Sequence, residues 1–298
     1  MIPTAQAFGI DIGGSGIKGA PVDLNAGRFA QDRLRIPTPQ PGTPDAVAEV
    51  VKEILDHFEV EDGTPIGVAF PAPVKPGKTL DFMANLDQGW VGLDVARFLS
   101  TKTGRTIHVV NDADAAGLAE VHYGAAQNVP GLVIATTLGT GIGTALIVDG
   151  VLVPNTELGH LDLEGKDAEH YASDGARSRK DLNWKKWGKR LTKYYRLLEK
   201  YFNPDLFVVG GGVSKKSEKF FPYIDVTTPM VPAKLLNDAG IVGSAYYAAH
   251  QLELEEKAQA HAEVASKEEE KYPASAAVPS KPVAEGEALP EDTAILPA

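Results

Sequence analysis

Gly14-Ser15-Gly16-Ile17-Lys18-Gly19-Ala20-Pro21-Val22-Asp23 and Gly139-Thr140-Gly141-Ile142-Gly143-Thr144-Ala145-Leu146-Ile147-Val148 are two versions of one turn, 125 residues apart. Each follows a short apolar run, residues 8–12 and 132–135, and each leads into a second strand-like run. A glycine-rich strand–turn–strand that occurs once per half predicts two related half-domains. Glycine lets the backbone come close to an anion and adopt φ > 0, so both turns read as cradles for phosphate. A third cluster, Gly210-Gly211-Gly212, follows the apolar run 206–209. One such turn would pass as structural; three point to phosphate handling.

Gly14, Gly16 and Gly19 also spell G-x-G-x-x-G, the dinucleotide fingerprint. That mechanism needs a helix to open at the turn and aim its N-terminus at the pyrophosphate. Here Pro21 interrupts the following segment and no 3.6-residue period appears, so a hairpin is expected instead. The G-x-x-x-x-G-K-[ST] loop is absent from the sequence.

A chain of 298 residues with 43% hydrophobic content can form two domains with sizeable cores. The alternation of strand-like and helical segments predicts an α/β fold. Thr43 and Pro44 signal a helix start ahead of Val47, Val50, Val51, Ile54, Leu55 and Phe58. Strands are expected at 65–70 and 106–110, and helices at 93–103, 113–123 and 240–250. The expected domains are residues 1–112 and 113–250, with the last helix returning to the first domain. The net charge of −11 is uneven: residues 251–298 hold eleven acidic and four basic side chains, −7 in all, leaving −4 for the body. That tail is expected to be largely disordered, with its first part, to about residue 270, able to extend a helix. No run approaches the ~20 apolar residues of a membrane span, and no signal-peptide pattern precedes the first strand. A cytoplasmic protein without membrane association is expected. With no cysteine, disulfides and thiolate metal sites are excluded.

Asn111-Asp112 falls where an apolar strand ends and a helix begins, the edge at which open α/β sheets bind ligands. Asp112 either caps that helix or accepts a proton from an attacking hydroxyl, with Asn111 holding a neighbouring one. Glu157, His160 and Glu169 offer acceptors suited to vicinal hydroxyls. The alternatives are a solvated acidic loop or a metal site through His160, Glu164, Asp167, Glu169 and His170, whose spacing matches no dense ligand motif.

Residues 177–200 carry ten Lys or Arg against Asp181 and Glu199. Trp187, Leu191, Tyr194, Leu198 and Tyr201 recur at helical spacing and define a buried face. Lys185, Lys186, Lys189, Arg190, Lys193, Arg196 and Lys200 lie mostly opposite. Such a face is either solvated or holds a polyanion by counterion release. No nucleic-acid reading motif accompanies it, so nucleic acid is not the expected partner.

Taken together, the segments 9–18, 109–113, 136–143 and 157–160 resemble the ROK-family sugar kinases. Asn85-Leu86-Asp87-Gln88-Gly89-Trp90 is similar to that family's substrate loop, and 208–212 to its adenosine-side turn. The resemblance covers about residues 6–250 and, through 153–161, is strongest to the bacterial polyphosphate-dependent glucokinase branch. It implies an actin-like ATPase (ribonuclease H-like) fold, two α/β domains around a central cleft. It implies Asp112 as general base toward the 6-hydroxyl of glucose, with Asn85, Asn111, Glu157, His160 and Glu169 holding other hydroxyls. Asp11, Gly13, Gly14, Ser15, Gly16, Lys18, Thr137, Gly139, Thr140, Gly141, Gly211 and Gly212 would face the donor, with Mg²⁺ met through Asp11. Lys185, Lys186, Lys189, Arg190 and Lys193 would form a track for inorganic polyphosphate, and ATP would serve as a second donor. A homodimer is expected. The family's cysteine-rich zinc motif is missing, so zinc is not expected, and Glu169 is placed only by its similarity to the family's Glu-x-x-Ala-Ser. Kinases for mannose, fructose or an N-acetylated sugar are the nearest alternatives, and a non-catalytic sugar- or polyanion-binding sensor is the alternative from another class.

Overall fold

The computed structural model describes residues 6–75, 78–79, 83 and 86–271. Asn85 and the tail from residue 272 lie outside the described residues. One compact unit runs to Glu255, and the architecture below belongs to it.

The first half contributes β1 (Gln6–Gly13), β2 (Gly16–Asp23), β3 (Arg28–Phe29), β4 (Leu34–Ile36), α1 (Pro44–His57), β5 (Ile66–Phe70), β6 (Val74–Lys75), β7 (Lys78–Thr79), α2 (Val95–Thr103) and β8 (Ile107–Asn111). The second contributes α3 (Asp112–Tyr123), β9 (Leu132–Leu138), β10 (Ile142–Val148), β11 (Val151–Val153), α4 (Ala168–Ala172), α5 (Asp174–Arg179), α6 (Trp184–Phe202), β12 (Leu206–Gly210), β13 (Met230–Pro232) and α7 (Ala239–Lys271).

Both glycine turns are hairpins. β1 pairs antiparallel with β2, closing at Gly13 opposite Gly16, and β9 pairs antiparallel with β10, closing at Leu138 opposite Ile142. No helix opens at either turn, so the dinucleotide mechanism is absent. Each hairpin then gains parallel strands on its first member: β1-β5-β8 in one sheet, β9-β12-β13 in the other. The two halves share this plan, the structural counterpart of the repeated turn.

On the first sheet, α1 and α2 cover one face. Thr43 accepts the Ala46 N–H at the start of α1, and Asp94 accepts the Arg97 N–H at the start of α2. Val47, Val51 and Ile54 meet Phe8, Ile10, Val68 and Phe70 in one core, each burial stabilising by roughly 1.5–3 kcal/mol. The opposite face receives α7, whose Ile241, Val242 and Ala245 pack on Ala7, Ala20 and Val22. Gly9 makes room for it: a Cβ there would lie 1.9 Å from the Ile241 carbonyl oxygen. By contrast α3 packs on β9 and β10 of the second sheet. It touches α7 backbone to backbone, since a Cβ on Gly243 would lie 1.7 Å from the Ala115 carbonyl oxygen. The two sheets are therefore joined through these two helices.

α6 covers the far face of the second sheet with Trp187, Leu191, Tyr194 and Leu198 buried. Tyr201 departs from the expected face and is 61% exposed. The helix ends at Phe202, before a left-handed Asn203, and Phe202 takes the core-facing place in its last turn. Tyr195 is buried instead, its hydroxyl 2.7 Å from Thr136 Oγ1. α7 runs past residue 250 to Lys271, so the first stretch of the acidic tail is helical, as its Ala, Glu and Lys content favours.

Candidate active site

β8 ends at Asn111, which keeps an extended backbone while its side chain folds back on α3. Asn111 Oδ1 accepts the N–H groups of Ala113 at 2.9 Å and Asp114 at 3.1 Å. The cap is therefore Asn111 and not Asp112, and the Asn111 carboxamide oxygen is already committed to the helix. Asp112, one residue later, accepts the Ala113 N–H at 2.8 Å and faces the cavity.

Asp112 lines a cavity of about 210 Å³ with Asp11, Lys18, Thr137 and Gly211. Loss of hydration between the cleft walls, and then the Asp11 charge, push its pKa up to about 7 against the pull of the Ala113 N–H. Asp112 nevertheless keeps an exposed surface toward the cleft, where a reacting group could meet it. Asp11 and Lys18 form a half-buried ion pair at 2.9 Å.

The first glycine turn is held through its carbonyls. Thr38 Oγ1 donates to Gly13, Arg35 Nη2 to Ser15 at 2.8 Å, and Gln40 Nε2 to Gly14 at 3.5 Å. Nothing in the sequence singled out these three donors, because their role depends on β4 pairing with β2. Gly13, Gly14, Ser15 and Gly16 do not line the cavity, nor do Gly139, Thr140, Gly141 and Gly212. The second turn is exposed at Gly139 and Thr140 and is tied to α4, since the Ile142 N–H donates to Glu169 Oε2 at 3.3 Å.

The structure brings Glu157, His160 and Glu169 together. Glu157 Oε2 lies 3.7 Å from His160 Nε2, while His160 Nδ1 lies 2.9 Å from Asp167 Oδ2. Burial first, then Glu169, raise the Glu157 pKa, and His160 opposes them. The Asp167 hydrogen bond raises that of His160, with the nearby carboxylates adding to it. Among the described residues no group of three or more His, Asp or Glu is placed to hold a metal ion. Glu164, one member of the metal alternative, is instead paired with Lys193 at 2.6 Å.

A buried residue that the sequence did not single out supports this loop. Asp114 accepts the Asn155 N–H at 2.7 Å, and the Asn155 carboxamide makes a two-point pair with the Val74 backbone, at 2.7 and 2.8 Å. The relay ties α3 to the segment carrying Glu157 and to β6 of the other half.

The basic face of α6 is less uniform than its sequence. Lys193 is paired with Glu164, and Arg190 donates to the Tyr171 carbonyl at 3.0 Å and stacks on its ring at 4.6 Å. Lys185, Lys186 and Lys189 are exposed, and none forms an ion pair among the described residues.

No helix among the described residues is long and apolar enough to cross a membrane. The model of the ROK family matches residues 7–178. The chain is 46% identical to a polyphosphate glucokinase of Mycobacterium tuberculosis (strain CDC 1551 / Oshkosh), over 80% of this chain and 90% of that one. Its fold matches a crystal structure of inorganic polyphosphate/ATP-glucomannokinase from Arthrobacter sp. strain KM. The TM-score is 0.77 at 47% identity, covering 83% of this chain and all of that one. A ROK family glucokinase from Streptomyces griseus, solved with glucose and AMPPNP, shares the fold with a TM-score of 0.68 at 23% identity, over 82% of this chain and 99% of that one. With the duplicated hairpins, the cleft between them and these matches all in agreement, the chain belongs to the ROK family.

Proposed function

We propose that the protein is a phosphotransferase that moves a phosphoryl group from inorganic polyphosphate, and from ATP, to the 6-hydroxyl of glucose. The observation that carries this reading is the position of Asp112. It stands between the Asp11–Lys18 pair and the Glu157–His160–Glu169 cluster, at a pKa of about 7. That value suits a base that must take a proton near neutral pH.

In this reading Glu157, His160 and Glu169 hold the sugar hydroxyls, with the Asn111 side-chain nitrogen as a further donor. The 6-oxygen attacks the terminal phosphorus, its proton passes to Asp112, and the bridging P–O bond of the donor breaks. The donor leaves one phosphate shorter. Such a transfer relies mainly on positioning and on neutralising charge, which Lys18 at the cavity wall can supply. Asp11 and Asp112 both face the cavity, and a magnesium ion needs only one or two carboxylates beside donor phosphates, so the residues fit it. When bound, Mg²⁺ would neutralise charge on the transferring phosphate. On α6, the exposed Lys185, Lys186 and Lys189 would meet a polyphosphate chain, with Arg190 and Lys193 contributing once freed from their present partners.

The test is a donor-by-acceptor matrix with Mg²⁺, read as sugar phosphate formed. Polyphosphate and ATP should both give glucose 6-phosphate; no product from glucose with either donor would remove the proposal. Mannose is the second acceptor to include, because the similar Arthrobacter structure is that of a glucomannokinase.

A further inference from the structure

Glu120 lies on α3 beyond Asp112 and lines the same cavity, yet it is 2% exposed and no lysine or arginine pairs with it among the described residues. Its carboxylate accepts three backbone N–H groups, from Ala125 at 2.8 Å, Lys234 at 3.0 Å and Leu235 at 2.7 Å. The last two belong to a strap, residues 233–238, that connects β13 to α7. From the first half, Arg33 grips the strap's other end: it pairs with Asp238 at 2.6 Å and reaches the Asn237 carbonyl at 3.4 Å.

Between these anchors Leu236 sits at φ 53, in the left-handed region, and is 40% exposed. A bulky side chain keeps that conformation only where its surroundings over-determine it. Here the carboxylate on one side and the guanidinium on the other do so. The outcome is a leucine held at the cavity wall beside Ala116, Val208 and Ala233.

The charge of the lining is equally telling. Lys18 is its one cation, against the carboxylates of Asp11, Asp112 and Glu120. An apolar wall backed by carboxylates offers little to a long polyanion. It suits a flat, neutral ring carrying a short phosphate chain.

Resting on the reading that both ATP and polyphosphate are donors, we infer that Glu120 is a positioning residue. Through the Leu236 strap it holds the nucleoside part of ATP and takes no part in polyphosphate binding. It thereby sets the relative use of the two donors.

The experiment compares wild type, Glu120→Gln and Leu236→Ala by steady-state kinetics at saturating glucose and Mg²⁺, with ATP and with long-chain polyphosphate, alongside thermal melts. In Glu120→Gln the amide nitrogen confronts backbone N–H groups, and KM for ATP rises about tenfold. In Leu236→Ala, which alters an exposed side chain, it rises roughly three- to tenfold. KM for polyphosphate moves less than about twofold in both, because no contact to that donor is altered. A merely structural role would shift both donors together. Equal rises for the two donors, or an unchanged KM for ATP in both variants, overturn the inference. If Glu120→Gln melts below the assay temperature, Leu236→Ala decides alone. A wild type that uses only one donor also overturns it, whereas one that uses neither overturns the underlying reading instead.

Discussion

Asp11 on β1 stands directly opposite Lys18 on β2, and their carboxylate and ammonium meet at 2.9 Å across the first hairpin. For a pair this far withdrawn from water, the cost of desolvating both ions offsets most of their attraction, so folding alone does not explain it. Its position does, since Lys18 is the cation that faces the cavity. Lys18→Met should therefore leave the melting temperature nearly unchanged while lowering kcat by about 10²-fold or more with both donors. Steady-state kinetics with a thermal melt checks this, and normal turnover in a folded Lys18→Met protein would contradict it.

Asp112 gives the second prediction. A general base must be ionised, so wild-type turnover should rise with pH through about 7 and level off above it. Asp112→Asn should fold and bind glucose but lose turnover by about 10³–10⁴-fold. Calorimetric glucose titration beside a pH–rate profile separates the two effects. Turnover within tenfold of wild type would rule out the assignment.

How far the sequence could carry these conclusions depended on whether a residue's neighbours are near it in the chain. The hairpins, α1 with its Thr43 cap and the strand end at Asn111-Asp112 were readable because glycine spacing, capping chemistry and periodicity are local. Glu157, His160 and Glu169 were readable as residue types, although the Glu169 contact with the second turn needs the fold. Thr38, Arg35 and Gln40 were not, since each acts across a strand pairing that leaves no local pattern. Glu120 and Asp114 were hidden for the same reason: inside an alanine-rich helix they look like solvent-facing charges, and only their distant backbone donors reveal otherwise. Tyr201 failed in the opposite sense. Its spacing is helical, but at the end of α6 the core-facing position passes from Leu198 to Phe202, four residues on, and leaves Tyr201 beside it in solvent.

Asp114 carries a stability prediction. It is 1% exposed, one carboxylate oxygen has no hydrogen-bond partner, and burial raises its pKa from 3.8 to about 7 despite the Asn155 N–H. The folded state therefore holds the proton more tightly than the unfolded state. Its contribution is fully present below about pH 4 and is lost as pH climbs through about 7. Asp114→Asn removes the charge while its carboxamide oxygen can still accept from Asn155. The variant should be more stable than wild type at pH 8, on the order of 2 kcal/mol, with the gain shrinking steadily toward pH 4. Urea denaturation at several pH values measures it. A variant less stable than wild type at pH 8 would mean that the ionised Asp114–Asn155–Val74 relay is worth more than the desolvation it costs.

The last prediction concerns the basic face of α6. Lys185, Lys186 and Lys189 are exposed and without ion pairs among the described residues, whereas Lys193 is held by Glu164. If these free cations guide a polyphosphate chain, they act by releasing its counterions, and each lost contact flattens the salt dependence of binding. Reversing all three to glutamate should raise KM for long polyphosphate by about 10²-fold at low salt, and by less at high salt, where the wild type also weakens. None of the three lines the cavity, and ATP has few counterions to release, so its KM should stay within about twofold. Lys193→Gln gives the matched control: it removes a cation already neutralised by Glu164, so its effect on polyphosphate should be much smaller. Kinetics with both donors across a salt series checks every arm. Equal weakening of the two donors by the triple reversal, or a larger effect from Lys193→Gln, would place the polyphosphate path elsewhere on the molecule.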